Sequence, residues 1–143
     1  MKYKKDVKTV LNFRTKEQYR CNVLKLNRGC ETEYSFGHWK CGYIYVSIIN
    51  YKYIDSSKLN VHGGTTYESY SGDKKYIVFG FDCAHYDDSP IYIPRPRSTG
   101  YCKNELIHLS KQINKMILSG RKRMIKNKIK LIKELIKWII KYA

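Results

Sequence analysis

At 143 residues the chain is the size of one domain with room for a genuine core, and its 43% hydrophobic content and 14 tyrosines exclude wholesale disorder. A formal charge of +16 gives a positive potential that attracts phosphates, nucleic acid or anionic lipid headgroups; the plainer alternative is that lysine is the solubilising residue of an AT-rich coding sequence. Cys21, Cys30, Cys41, Cys83 and Cys102 are odd in number and show no C-x-x-C spacing, so neither a closed disulfide framework nor a zinc knuckle is indicated.

The opening "MKYKKDVKTV" has no apolar leader core, and a reducing cytosol is the natural compartment. Through residue 40 the pattern is ambiguous. "VLNF" and "CNVLKL" alternate like short strands, while "RTKEQYR" between them can turn either way. From Cys41 the pattern clears: "CGYIYVSIINY", "LNVHGGTTYESY" and "KKYIVFGFDCA" predict an antiparallel meander, with hairpin-turn chemistry in "SGDKK". Pro90, Pro94 and Pro96 mark an extended connector carrying Arg95 and Arg97, since proline has no N–H for a central ladder.

A helix is expected over 99–119, with Leu106, Leu109, Ile113 and Met116 on one face and Ser119-Gly120 as its stop. A second, basic amphipathic helix is expected over 121–142, striped by Ile125, Ile129, Ile132, Ile136 and Ile139. There nine basic residues against the single acid Glu134 give +8, half the net charge. Lysines at every turn argue against a membrane span, leaving packing on the sheet, pairing with another copy, an anionic ligand or nucleic acid, or a membrane surface. The fold class is therefore α+β: residues 1–98 mainly β, a mostly antiparallel sheet followed by two C-terminal helices in one domain.

Two polar clusters interrupt the strand pattern. In "HGGTT" (62–66) Gly63 and Gly64 free the backbone to cup an anion with its N–H groups, and the Thr65 and Thr66 hydroxyls add donors; the alternative is a bulge or turn with a surface histidine. In "GFDCAHYDD" (80–88) the alternation Ile77, Phe79, Phe81 sends one side to the core and carries Cys83 with it, so Asp82 faces the other side. A carboxylate there is costly unless paired or wet, which singles out Asp82. A metal site could draw on His62, Asp82, His85, His38 or Asp88, but no compact ligand signature is present, and neither a metal nor another cofactor is expected. Cys83 with a histidine base would make a nucleophile, though its strand parity favours a buried apolar role. His62 and His85, oriented by Asp82 or Asp88, would suit acid–base cleavage of a phosphodiester if the protein is an enzyme.

The series "GHWKCGYIYV" (37–46), "VHGGTTYES" (61–69), "GFDCAHYDD" (80–88) and "NELIHLSKQI" (104–113) resembles, in order, a family of small bacteriophage proteins reading G-H-x-C-G-Y-V, H-G-G-L-T-Y-S, G-F-D-C-A-H-x-G-D and N-E-x-x-x-L-x-x-Q-L. The resemblance covers roughly the middle two-thirds of the chain and departs at Thr65, where the family has an aliphatic residue, and at Asp87, where it has glycine. It implies a phage accessory protein acting in the cytoplasm of the infected bacterium, and by analogy a counter-defence factor directed at a nucleotide immune signal. The matching positions are His38, His62, Gly63, Gly64, Thr66, Asp82, His85 and Asp88.

The expected site is one pocket built from adjacent strands, with those residues and Thr65 binding a small phosphate-bearing nucleotide and Arg95 and Arg97 at the entrance. Sequestration is the leading reading and a phosphodiesterase using His62 and His85 the alternative. A basic protein that coats nucleic acid or inhibits a host defence protein is the third. A homo-oligomer through the C-terminal helix is expected.

Overall fold

In a computed structural model, described over residues 6–143, five antiparallel strands and one long helix account for the architecture. Residues 1–5, which begin the segment read for a leader, lie outside the described residues. The strands are β1 (Asp6–Arg14), β2 (Arg20–Asn27), β3 (His38–Ser47), β4 (Tyr67–Tyr70) and β5 (Tyr76–Asp82), followed by α1 (Thr99–Tyr142). They lie in the order β1-β2-β3-β5-β4.

The ambiguous N-terminal region is a hairpin, β1 pairing β2 from Asp6↔Asn27 to Arg14↔Arg20 with an irregularity between Thr9 and Leu11. The expected meander is corrected in its middle. "LNVHGG" is a connection, not a strand, and β3 pairs directly with β5, which places β4 at the sheet edge. The predicted "SGDKK" turn does join β4 to β5, where Ser71 N–H donates to Tyr76 O at 2.9 Å and Lys74 takes positive φ.

Pleat alternation divides the sheet into two faces. Cys21, Val23, Ile44, Val46, Ile77, Phe79 and Phe81 are buried on the side that meets α1, where they pack with Cys102, Leu106, Leu109, Ile113 and Ile117. Cys83 continues that parity and is 5% exposed, as the alternation predicts. The opposite face carries Arg20, Asn22, Tyr43 and Tyr45, and among the described residues no helix covers it.

Gly42 is required where the two layers meet, because a Cβ there would run into the Phe81 ring and sit 3.2 Å from Leu106. The connector 83–98 is irregular apart from a 3₁₀ turn at Tyr86–Asp88, as its three prolines require. Ser98 caps α1 by accepting from the Tyr101 N–H at 3.0 Å.

The expectation of two helices is overturned: α1 runs unbroken for 44 residues. Gly120 is not a helix stop. It keeps a helical backbone, and its missing side chain is explained by the Tyr53 ring, which a Cβ at 120 would approach to 2.5 Å. Met124 touches Tyr53 and Arg121 donates to the Asn50 side chain at 2.7 Å, but every residue from 125 onward is exposed, so the tail does not pack on the sheet.

Gly42→Val should destabilise the fold by about 1–3 kcal/mol through overpacking between sheet and helix. Gly72→Ala, at a position with open space around it, should be near neutral. Chemical denaturation of the two variants checks the contrast.

Candidate functional site

The "HGG" segment is a turn laid against α1. Gly64 N–H donates to Val61 O at 2.9 Å, and Gly63 and Gly64 take φ of +65° and +82°, conformations that favour glycine. Glu105 and Gln112 hold it to the helix. The His62 N–H donates to the Glu105 carboxylate at 2.8 Å, and Gln112 both accepts from Asn60 N–H and donates to Asn60 O at 2.7 Å. Two polar residues of the "NELIHLSKQI" segment are thus the anchor for the turn.

Anchoring brings His62 onto Asp88. The His62 side chain is 8% exposed and the Asp88 side chain 1%, with Nε2 and Oδ2 at 2.8 Å. Arg97 Nε donates to the other Asp88 oxygen at 2.9 Å, and the His85 N–H donates to Oδ2 at 3.1 Å. His62 Nδ1 meets the Tyr101 hydroxyl at 2.7 Å, and the Arg97 guanidinium lies over the Tyr101 ring. Burial would push the Asp88 carboxyl up, but hydrogen bonds from His62, Arg97 and the His85 N–H outweigh it and hold the group below the usual carboxylate range. Burial, then the nearby Glu105, push the Tyr101 phenol up, which disfavours a phenolate.

Asp88, not Asp82, is therefore the costly carboxylate of the chain. Asp82 is about one-third exposed, accepts from the Ala84 N–H at 3.1 Å and stands 3.6 Å from His85 Nε2. Cys83 lies 3.8 Å from Cys102; that contact and burial push its thiol far up, so it is a core residue and no nucleophile.

The predicted residues do not share one pocket. His38, His85 and Asp88 line a cavity of about 330 Å³ with Arg28, Tyr34, Phe36, Trp39, Ser89 and Pro96. Gly64, Thr65 and Thr66 line a separate cavity of about 460 Å³ with Ser56 and Ser57. His62 lines neither of these two cavities. The reason is the turn itself: Gly64 N–H is already used by Val61, and Gly63 abuts the His85 ring so closely that any Cβ would collide with it. Arg97 is committed to Asp88, and Arg95 is exposed.

The His38 cavity is distinguished by its unpaired polar atoms. Among the described residues, His38 Nδ1, His85 Nε2 and Ser89 Oγ are buried without a hydrogen bond, Nε2 having Asp82 Oδ1 at 3.6 Å beyond hydrogen-bond reach, and all three side chains line this space. Such atoms are costly to leave unmet. Burial, with Lys25 and Lys40 beside it, pushes His38 below the ordinary imidazole value, so at neutral pH the ring is uncharged and offers one donor and one acceptor. Arg28 lies over the Trp39 ring at 5.3 Å, giving one wall a cation backed by an aromatic face. Among the described residues no three His, Cys, Asp or Glu groups come together in metal-ligating geometry.

A larger opening of about 600 Å³ lies on the uncovered sheet face, lined by Arg20, Asn22, Tyr43, Tyr45, Tyr67 and Tyr70. No histidine lines it, and Asn22, one of its lining residues, has its Oδ1 buried without a hydrogen bond. Sequence reading missed Arg28, Tyr34, Phe36, Trp39 and Ser89 as cavity residues. Only Trp39, beside His38 in "GHWKCG", carried a signal. Comparison with protein-family models, with curated proteins and with solved structures finds no match.

Asp88→Asn should cost about 2–4 kcal/mol by breaking a buried, multiply bonded charge. Because the folded carboxyl is held below its unfolded value near 4, its stabilisation is present above that pH and is lost as pH falls through the lower, folded value. Unfolding curves from neutral pH to about pH 2 should therefore show the gap between wild type and variant narrowing below about pH 4.

Proposed function

We propose that the protein binds and sequesters a small, phosphate-bearing nucleotide in the cavity between the start of β3 and the 83–98 connector. The observation that carries this reading is that three side chains lining one aromatic and basic space, His38, His85 and Ser89, each carry a buried polar atom without a hydrogen bond. Trp39, Phe36 and Tyr34 offer faces for a nucleobase, and Arg28 offers a cation for phosphate. Its volume of about 330 Å³ falls at the lower end of small-ligand pockets, about 300–1,000 Å³.

Binding is preferred to hydrolysis because the acid–base pair is incomplete. The His62 and His85 ring centroids are 5.8 Å apart, but both His62 nitrogens are engaged, one by Asp88 and one by Tyr101. A proton shuttle needs a nitrogen within reach of the substrate. The resemblance to small bacteriophage proteins supports a setting in the cytoplasm of an infected bacterium, where withholding a nucleotide signal would counter host immunity.

Purified protein incubated with a panel of mononucleotides, cyclic di- and trinucleotides and cyclic ADP-ribose isomers should deplete one compound and release it unchanged on heating. Trp39→Ala and Arg28→Ala should each weaken that depletion about tenfold or more, the loss of one stacking or charged contact. A new product in the supernatant would instead establish hydrolysis, and retention of every compound in free form would reject the pocket.

A further inference from the structure

The tail of α1 is an unsolved packing problem in the isolated chain. Between Ile125 and Tyr142 ten large apolar side chains are each at least 47% exposed. Residues 125–143 are all exposed and make no hydrogen bond or ion pair to any other described segment, and at 1.5 Å per residue they span roughly 28 Å. Soluble monomers rarely leave so much contiguous apolar surface in water.

The tail is sorted around its circumference. At 100° per residue the apolar side chains from Trp138 through Ile132 to Ile140 sweep an arc of roughly 200°, while Lys126, Lys130, Lys133, Lys137 and Lys141 fill the remainder with Asn127 and Glu134. Lys128 is the one basic residue inside the apolar arc, and its long stem can lie along that surface with the ammonium turned outward. Trp138 sits at the border of the two faces, its ring tilted against that of Tyr142 with centroids 5.4 Å apart.

We infer that this half of α1 lies on an anionic lipid surface, apolar arc among the acyl chains and lysines toward the headgroups. Charge decides the occupant. Over residues 125–143 six lysines against Glu134 give +5, which is complementary to anionic lipid, whereas a second copy would set +5 against +5. A second copy is geometrically served by the Ile125, Ile129, Ile132, Ile136 and Ile139 stripe, whose four-three spacing suits a coiled coil. That seam, however, leaves Leu131 and Trp138 in water, while a bilayer boundary covers the whole arc. Nucleic acid would use the lysines and none of the apolar arc. No helix of the described residues is long and apolar enough to cross a membrane, so the contact is parallel to the surface.

The test uses the full chain with sedimented vesicles of phosphatidylglycerol and phosphatidylcholine in equal parts, against phosphatidylcholine alone. The chain should pellet with the anionic vesicles and at least tenfold less with the neutral ones, and binding should weaken on added salt. Ile132→Asn with Ile136→Asn should lower vesicle binding at least tenfold while leaving the melting temperature unchanged, because both side chains are half or more exposed. A blue shift of tryptophan emission on binding should vanish in Trp138→Phe. Absence of pelleting, or pelleting unchanged in the double variant, overturns the inference. So does a concentration-dependent oligomer, abolished by the double variant, in a chain that ignores vesicles; that result assigns the arc to a second copy.

Discussion

The buried Asp88 carboxylate is the interaction on which the functional half of the molecule depends. It collects the His62 ring, the Arg97 guanidinium and the His85 N–H, and through His62 it reaches Tyr101 on α1. The turn, the connector and the helix meet at one charge. A lone buried carboxylate would neutralise or unfold its surroundings; with these donors it remains ionised and fixes the partners around it. The rings of His62 and His85 are held in place by this arrangement, one as part of the latch and the other in the wall of the cavity.

That division separates a structural latch from a cavity wall within a single polar cluster. His62 has both nitrogens occupied and little exposure, the features of a residue that positions others. His38 and His85 each keep a buried nitrogen without a hydrogen bond, in side chains that line the cavity. Glycine serves both ends: Gly63 makes room for the His85 ring, and Gly37, at φ +77°, allows the chain to turn past Gly29 and Cys30 before β3 begins. The resulting cavity is shaped by backbone geometry before any side chain acts.

The helix shows a second kind of economy. One continuous α1 supplies the apolar layer over the sheet from Cys102 to Ile117 and then extends as an exposed amphipathic arm. With no proline inside it and lysine, isoleucine and leucine throughout its second half, nothing local ends it. The isoleucine stripe is rotated by roughly 120° from the core-facing stripe, so the arm answers to a different surface from the one that folds the body.

Local pattern determined β5, the core face of Ile77, Phe79, Phe81 and Cys83, the turn at 71–75, the helix start near Thr99, the basic amphipathic character of the tail and most of β3, whose expected run to Tyr51 is cut short by a 3₁₀ helix over Ile48–Tyr53. Each follows from side-chain periodicity or turn chemistry, which are local. The N-terminal hairpin was half legible, because strand-like runs were visible but their pairing was not. Tertiary structure decided the rest. Gly120 reads as a stop in sequence and is a contact point for Tyr53 in space; "HGGTT" reads as a strand interruption and is a turn pinned by Glu105 and Gln112. Asp82 and Asp88 are indistinguishable carboxylates in "DCAHYDD", and only the approach of Arg97, nine residues on, and His62, from another segment, decides which is buried and ionised. Burial and pairing are set by contacts between segments distant in the chain, and no window of sequence contains both partners.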